Sequence, residues 1–433
     1  MSEKINVLIY PSGSENAIDI YDSLKYNIHF NIIGASGKSD HTEYIYPLDR
    51  YIIEKGLYIN DADFIDIFNK IIHKFEIKYI IPTHDVIAAF LTEYSEKIDA
   101  IIVCSPHETA KLAVNKYLTY QYFKVYDFMP KVYSAIDESI QYPVFVKPYI
   151  GAGGKGTFKA DSKAKLNEIL EKSTDLLVSE YLPGEEYTVD CFTNYKGELL
   201  FLGPRTRERI TMGITFHSER IQLNDEIVYI ANTINDLTDL RGAWFFQVKK
   251  DMHGRLKLME FSVRQAGTMA FYRQLGINFA ALSLFDAMGL EVKILFNDYN
   301  LKLDRCLKSS YQLDYLYHRV YVDFDDTLIV DNKVNTTLIK FLYQCSNNHI
   351  KLILITKHIY DVQDTLSKYK IYKELFDEII VLLADEDKSD FIQPDNSIFI
   401  DNYYFDRLKV STKLKIPVFD VDAIESLIKD CEI

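Results

Sequence analysis

A glycine-rich loop is the first stretch of this 433-residue chain that could do chemistry, because Gly151, Gly153, Gly154 and Gly156 lie within six residues. Glycines this close together let the backbone approach a ligand, and their N–H groups can surround an anion. Residues 157–160 favour a strand, whereas a dinucleotide fingerprint must open a helix. The loop is therefore predicted to be a hairpin tip that either closes over phosphates or binds no ligand.

Three clustered aspartates form the second such stretch. Asp323, Asp325 and Asp326 follow an apolar run that ends at Val322. Carboxylates this close repel one another, so the cluster needs a cation or a function. Open α/β sheets bind ligands at the carboxyl ends of their strands. The cluster is therefore a candidate ligand or metal site.

The elements that must position these residues change in character along the chain. The first hundred residues or so, and again the last part, alternate strand and helix patterns, which favours open parallel sheets. The middle third has an α+β pattern that begins with a helix from Ser105 to about residue 126. Strands are predicted next at residues 143–149, 156–160, 176–180, 187–192 and 256–261. In the last part, strands are predicted at residues 317–322, 351–356 and 397–400, and a helix at residues 336–345.

Composition limits the classes of protein to consider. The net charge of −14 counts against a nucleic-acid or anionic-membrane binder, and the 48% of apolar residues is ample for packed cores. We find no apolar run of about 18 residues that would span a membrane, and no signal-peptide pattern. The five cysteines are scattered, which favours free thiols and a cytoplasmic location.

Several separated residues beside the glycine loop agree in type and order with a known family. Two lysines, the glycine tip, an acid after a strand and a later metal-suited acid resemble the ATP-grasp superfamily. The chain is most similar to its carbamoyl-phosphate-synthase-like carboxylate–amine ligases, over roughly residues 1–300. The resemblance implies these ATP contacts: Lys116 and Lys147 on phosphates, Gly153, Gly154, Lys155 and Gly156 over them, Glu180, Tyr181 and Leu182 at the adenine, and Glu186 at the ribose.

The same resemblance implies a metal side of the ATP site. Gln247 and Glu260 match its magnesium positions, and Arg264 matches the arginine that steadies the transferring phosphoryl group. Ser262 stands where the family usually has asparagine, which puts the second magnesium or its geometry in doubt. Mg²⁺ prefers hard oxygen ligands, so carboxylate, amide and hydroxyl groups suit it.

Substrate residues are harder to identify. Arg205 and Arg207 lie on a segment that often faces substrate in the family. His84 follows a strand at the edge where ligands bind, so it either lines a substrate cleft or caps the next helix.

The aspartate cluster resembles the first motif, Asp-x-Asp-x-Thr, of haloacid-dehalogenase-like (HAD) phosphatases. By this resemblance Asp323 is the nucleophile and Asp325 the general acid/base, and both contribute to a Mg²⁺ site. Thr356 and Lys388 would hold the phosphoryl group. Asp401 would bind Mg²⁺ with support from Asp406 or Asn402. The short intervals between these motifs leave no room for a sizeable cap domain.

Together the motifs predict a multidomain protein of α/β and α+β class. It would comprise a pre-ATP-grasp Rossmann-like domain (1–104), an ATP-grasp fold (105–311) and a capless HAD-like Rossmannoid domain (312–433). The predicted function is an ATP-dependent carboxylate–amine ligase joined to a magnesium-dependent phosphatase. Either half could instead lack turnover, with the HAD-like part as a docking module or the ATP-grasp part silent.

The predicted ligands follow from that function. They are ATP and Mg²⁺, with Mn²⁺ as an alternative metal, a small carboxylate, an amine and a phosphorylated metabolite. No nucleic-acid or membrane partner is expected, and a homodimer is left open.

Overall fold

The chain forms two compact units in the computed structural model, which describes residues 4–134, 139–151, 153–211, 213–311 and 313–429. The first unit comprises the described residues up to Glu43 together with Leu48–Leu307, and the second comprises Tyr44–Pro47 and the described residues from Lys308 onward. Residue 312, the predicted start of the last domain, and Cys431 lie outside the described residues. Cys104, Cys191 and Cys306 are free thiols. None of the described helices has the length and apolarity needed to cross a membrane.

The first unit begins with a parallel sheet whose strands are mostly buried. Its described strands are β1 (Ile5–Tyr10), β2 (Phe30–Ser36), β3 (Tyr51–Ile53), β4 (Ile77–Pro82) and β5 (Ile101–Ile102), in the order β3-β2-β1-β4-β5. All pairs are parallel. The connecting helices are α1 (Glu15–Leu24), α2 (Phe64–Lys74) and α3 (Asp85–Glu93). Buried apolar runs of this kind are typical of a sheet covered on both faces.

The prediction of one continuous helix from Ser105 to about residue 126 is wrong. The structure has two helices there, α4 (His107–Val114) and α5 (Lys116–Tyr122). Between them Asn115 has an extended backbone, and its side chain accepts hydrogen bonds from the first turn of α5. An asparagine that caps a helix in this way starts a new helix and ends the old one.

Antiparallel sheets follow, as the strand signals predict. The elements are β6 (Val144–Pro148), β7 (Phe158–Ala160), α6 (Lys163–Leu170), β8 (Leu176–Glu180), β9 (Glu186–Thr193), β10 (Leu199–Thr206), β11 (Glu208–Thr211), β12 (Ile214–Glu219), α7 (Asp225–Leu237), β13 (Gly242–Lys250), β14 (Leu256–Ser262), α8 (Ala270–Arg273), α9 (Phe279–Ala287) and β15 (Lys302–Asp304). Strands β6 and β7 pair antiparallel on either side of the glycine loop, so the hairpin prediction is confirmed.

The sheet β10-β9-β13-β14 aligns polar residues in one row across four strands. Arg205 on β10 pairs with Thr188 on β9, Thr188 with Gln247 on β13, and Gln247 with Glu260 on β14. Directly opposed residues of paired strands point to the same face of a sheet. The register therefore places two predicted metal ligands and one predicted substrate residue on one face.

The second unit contains another parallel sheet. Its described elements are β16 (Arg319–Val322), β17 (Ile329–Val330), β18 (Lys333–Val334), α10 (Thr336–Asn347), β19 (Lys351–Thr356), α11 (Val362–Lys368), β20 (Glu378–Val381), β21 (Ser397–Ile400), α12 (Tyr404–Leu414) and β22 (Val418–Phe419). The order β20-β19-β16-β21-β22 puts β16 at the centre. The predictions for β19 and β21 are confirmed, so the residues that follow β16, β19 and β21 meet at one sheet edge.

Candidate active sites

Two lysines lie side by side at the end of the glycine-loop hairpin. The ammonium group of Lys116 donates to the Gly151 carbonyl at 2.9 Å and lies 3.2 Å from Glu260 Oε2. Lys147 donates to the Met259 carbonyl and to the Tyr120 hydroxyl, both at 2.9 Å. Two cations next to one carboxylate and a glycine tip make this end of the cleft suitable for phosphates.

Lys147 is buried, and its charge has little compensation. The side chain is 6% exposed, and its Nζ lies 4.5 Å from the centre of the Tyr120 ring. Burial lowers the pKa of Lys147 to about 7, against the opposing effect of Glu260. A bound phosphate would supply the negative charge that this buried lysine lacks.

The glycine loop lies against a second turn of the first unit. A Cβ placed on Gly213, which has a φ of +76°, would lie 2.3 Å from the Cα of Gly153. Gly153, Gly154 and Gly156 also have positive φ angles, which other residues rarely adopt. Lys155 is exposed at the tip. The two turns can approach this closely only because neither carries a side chain at the contact.

The predicted adenine and ribose residues already have protein partners. Glu180 accepts the Lys131 N–H through Oε1 at 2.8 Å, while Tyr181 and Leu182 continue the chain after β8. Glu186 lies 2.6 Å from Arg207 Nε and 3.6 Å from Lys249 Nζ. The Glu186 carboxylate thus faces cations on two sides, and a ribose would have to share it with them.

Asp85, at the start of α3, contacts two residues of the predicted metal side, and sequence analysis offered no signal for it beyond its place after β4. The Ser262 hydroxyl donates to Asp85 Oδ1, and Arg264 donates to Asp85 Oδ2 from Nη2 at 2.8 Å and from Nε at 3.1 Å. Burial would raise the pKa of Asp85, but Arg264 and the Ser262 hydrogen bond lower it below its usual value. In this structure Ser262 therefore helps to hold an arginine through Asp85.

A cavity of about 350 Å³ opens beside these groups. Its lining joins the glycine turns to Gln247, to the start of α1 and to four arginines: Arg205, Arg207, Arg264 and Arg305. His84 lines it as well, and its side chain makes no capping hydrogen bond to α3. Burial and the Arg264 charge lower the pKa of His84. The structure therefore favours the cleft-lining interpretation of His84 over the capping one.

In the second unit, one lysine joins three predicted site residues at the sheet edge. Lys388 Nζ lies 2.6 Å from Asp323 Oδ1, 2.6 Å from Asp401 Oδ2 and 3.6 Å from Asp406 Oδ2. Burial raises the pKa of Asp323 to about 6, although Lys388 opposes this rise, and the pKa of Asp401 is raised by burial too. Burial alone would lower the pKa of Lys388, but Asp323 and Asp401 raise it.

The remaining predicted residues surround this ion cluster. Thr327 Oγ1 lies 3.1 Å from Asp323 Oδ2 and accepts the Asn402 N–H at 3.0 Å. Thr356, fully buried at the end of β19, accepts the N–H of His358 at 3.1 Å.

Asp325 contacts a histidine that sequence reasoning missed. His358 Nδ1 contacts Asp325 Oδ2 at 2.9 Å, and His358 Nε2 lies 3.0 Å from Thr365 Oγ1. Its position two residues after Thr356 was the only available signal. A histidine fixed on both nitrogens can orient the carboxylate that it contacts.

The donor chemistry of both sites suits Mg²⁺, since both offer carboxylate oxygens. In the parts of the chain that the structure describes, however, no three His, Cys, Asp or Glu side chains form a group that could hold a metal ion. Lys388 supplies the positive charge among Asp323, Asp401 and Asp406, and Lys116 does so beside Glu260. The metal ligands stay predictions at all seven positions, which are Gln247, Glu260, Ser262, Asp323, Asp325, Asp401 and Asp406.

Comparison with known proteins relates the first unit to ATP-dependent ligases. Residues 172–301 match a family model described as an ATP-grasp in the biosynthetic pathway with Ter operon. A segment of 60 residues is 33% identical to D-alanine–D-alanine ligase of Fusobacterium nucleatum subsp. nucleatum. That match spans 14% of this chain and only 21% of the relative's length.

Solved structures share the fold at low identity. L-amino acid ligase from Bacillus licheniformis has a TM-score of 0.52 and 16% identity, over 66% of this chain and 74% of its own. N5-carboxyaminoimidazole synthetase from Staphylococcus aureus, complexed with ADP, has a TM-score of 0.54 and 14% identity, and the match covers 67% of this chain and 79% of the synthetase chain. The biotin carboxylase domain of Hydrogenobacter thermophilus 2-oxoglutarate carboxylase has a TM-score of 0.55 and 15% identity, and the match covers 67% of this chain and 70% of that domain's chain. Over about two thirds of its length the chain therefore has an ATP-grasp-like fold.

Proposed function

We propose that the first unit is an ATP-dependent carboxylate–amine ligase that forms ADP. The arrangement that carries this proposal is the cleft in which Lys116, Lys147 and the glycine turns lie at one end of the Gln247–Glu260 row. The cavity beside that row has room for a small substrate next to the phosphate end. The family-model match and the ATP-grasp-like fold support the same activity.

The reaction has two steps in this proposal. A substrate carboxylate oxygen attacks the γ-phosphorus of ATP, and ADP leaves with the electrons of the broken P–O bond. An amine then attacks the acyl phosphate carbon, releasing phosphate and a proton to give an amide. Charge develops on the transferring phosphoryl oxygens, where Lys116, Lys147 and Arg264 would stabilise it. Mg²⁺, when bound near Gln247 and Glu260, would add to that stabilisation.

Trapping the acyl phosphate tests this activity without knowledge of the amine. Hydroxylamine stands in for the amine, and pooled carboxylates are screened for ADP release and for hydroxamates by mass spectrometry. We expect carboxylate-dependent ADP release in the wild type and at least a tenfold loss in Glu260→Gln. Absence of carboxylate-dependent ADP release across the pools would contradict the ligase proposal.

We further propose that the second unit is a phosphatase with Asp323 as the nucleophile. The supporting observation is the convergence of Asp323, Lys388, Asp401 and Thr356 at one sheet edge. A carboxylate oxygen of Asp323 would attack phosphorus and break its bond to the ester oxygen, and the protonated carboxyl of Asp325 would give its proton to that oxygen so that the alcohol leaves. Water would then hydrolyse the aspartyl phosphate, with Asp325 as the base. Mg²⁺, when bound by Asp323 and Asp401, would offset the repulsion between the nucleophile and the phosphate.

Hydrolysis of p-nitrophenyl phosphate in the presence of Mg²⁺ tests the phosphatase. The wild type should turn over, and Asp323→Asn should not. Thr365→Val, which removes a contact of His358 at the margin of the site, should retain most of the activity. Equal rates in the wild type and Asp323→Asn would leave the second unit as a docking module without turnover.

A further inference from the structure

The cavity wall of the first unit carries more positive charge than the proposed reaction needs. Four arginines line it, whereas Glu15 is the single carboxylate among its described lining residues. The acids that pair with Arg205, Arg207 and Arg264 are Asp190, Glu186 and Asp85, and none of them lines the cavity. These acids fix three of the guanidinium groups from outside the cavity. The fourth, that of Arg305, pairs through Nη2 with Glu15 at 3.2 Å and with Asp19 at 3.4 Å. One arginine suffices for a transferring phosphoryl group, so donors of the others that these acids do not engage are available to a substrate.

Some polar atoms in that wall are buried without a partner. Arg205 is fully buried and binds Asp190 through Nε at 2.7 Å and Nη2 at 3.1 Å, but its Nη1 has no hydrogen-bond partner among the described residues. Within the same described part of the chain, Thr215 Oγ1 and Arg305 Nη1 are also unpartnered. Buried polar groups are almost always satisfied by protein, water or ligand. An acidic ligand group would satisfy donors of this kind.

The sheet register separates these donors from the phosphate end. Arg205 lies two strands from Gln247 along the row Arg205–Thr188–Gln247. Neighbouring strands are about 4.8 Å apart, so the two backbone positions are roughly 10 Å apart. The long side chains of Arg205 and Gln247 shorten the distance that a ligand must span between them. A ligand that contacts both side chains would therefore carry two acidic groups separated by a few bonds.

We infer that the ligase substrate carries a second acidic group, a carboxylate or a phosphate, that binds at Arg205, Thr215 and Arg305. The first carboxylate would lie at the Gln247 and Arg264 end, where it meets ATP. This inference rests on the proposed ligase function for the identity of the cavity. It adds the class of substrate, a small diacid.

Ligand-observed NMR with purified full-length protein and Mg–ADP tests the inference. The probes are glutarate and 4-phosphonobutyrate as diacids, and pentanoate as the monoacid of similar length. We expect at least one diacid to bind at least tenfold more tightly than pentanoate, and the better of the two identifies the second acid. Equal binding of all three probes, or no diacid binding, would overturn the inference.

Two variants locate the second acid. Thr215→Val removes a hydroxyl that has no hydrogen-bond partner among the described residues, so the thermal stability of the protein should not fall, yet diacid affinity should fall about threefold or more. Arg305→Gln should lower diacid affinity by about tenfold and leave pentanoate binding unchanged. Thr211→Val, an exposed threonine on β11, is the matched control and should change neither. An unchanged diacid preference in both cavity variants would also overturn the inference.

The outcome is distinguishable from that of the ligase proposal. Arginine-dependent diacid binding without carboxylate-dependent ADP release would support the anion site and contradict the ligase. Carboxylate-dependent ADP release with no preference for diacids would support the ligase proposal and contradict the second anion site.

Discussion

A buried lysine with a lowered pKa makes phosphate binding dependent on pH. Burial brings the pKa of Lys147 to about 7, so above neutral pH the free protein carries it uncharged. ATP requires the charged form and raises its pKa, so binding takes up a proton as the pH rises above 7. The ATP dissociation constant should therefore increase above pH 7, by at most about tenfold per pH unit.

Calorimetry in buffers of different ionisation enthalpy measures this proton uptake directly. Lys147→Arg keeps a positive charge throughout the range, because an arginine does not lose its proton near neutral pH. Whatever the absolute ATP affinity of this variant, the affinity should no longer depend on pH between 7 and 9. A wild-type affinity that is flat over that range would contradict the assigned role of Lys147.

Asp85, which lies at the start of α3 just after β4, orients Arg264, which follows β14. Replacing Asp85 by asparagine removes a charge-assisted pair, which is worth about 1.5–3 kcal/mol. If Arg264 acts on the transferring phosphoryl group, Asp85→Asn should lower kcat for ADP release by roughly ten- to a hundredfold. Steady-state kinetics with a carboxylate found in the screen measures this effect.

Ser262→Ala is the matched control for Asp85. It removes a neutral hydroxyl from the same carboxylate but leaves both arginine contacts, so we expect a loss of only a few fold. Circular dichroism confirms that both variants are folded. A wild-type kcat in Asp85→Asn would show that the Asp85 contact does not position a working arginine.

At the scale of elements, we expect the close contact between the Gly153 turn and the Gly213 turn to determine how the glycine loop closes over ATP. A methyl group on Gly213 meets the backbone of Gly153, and the positive φ adds strain of about 1–2 kcal/mol. Gly213→Ala should therefore raise KM for ATP by about tenfold. Gly197→Ala is the control, since Gly197 has a φ of +80° and no described atom lies within 4 Å of an added Cβ.

Both glycine variants should lose stability in thermal unfolding through backbone strain, and Gly213→Ala should lose more, because its methyl group also meets the Gly153 backbone. Only Gly213→Ala should lose ATP affinity. Equal KM values in the two variants would mean that the contact between the turns does not matter for the nucleotide.

Secondary structure followed from local patterns where one pattern dominated. Strands β19 and β21 and the glycine hairpin have clear apolar runs and turn residues, and they were predicted correctly. The break at Asn115 was not predicted, because the apolar pattern continues through it and the deciding interaction is a single capping side chain. Strand β10 was missed because it ends in Pro204, Arg205 and Thr206. Proline and charge are tolerated there because β10 is an edge strand in its sheet.

At the scale of the whole molecule, the site could be predicted only as far as motifs extend along the chain. The aspartate motif and the lysines are visible because their residue types and order are enough to identify them. The Arg264–Asp85 pair joins residues 179 positions apart, and the His358–Asp325 contact joins residues 33 apart. Such partners are set by strand order and sheet register, which no local pattern encodes.

Each candidate site is built from residues of one unit, which predicts independent activities. The ATP-site residues lie in the first unit and the aspartate-site residues in the second. Asp323→Asn should lower phosphatase turnover by roughly a thousandfold or more and leave ADP release within twofold of the wild type. Gly213→Ala should lower ADP release at ATP concentrations below KM and leave phosphatase turnover within twofold of the wild type. In the double variant each activity should equal that of the corresponding single variant, because changes in separate units without shared partners act additively. Both activities are measured on the wild type, the two single variants and the double variant. Loss of ADP release in Asp323→Asn would mean that the two activities are coupled.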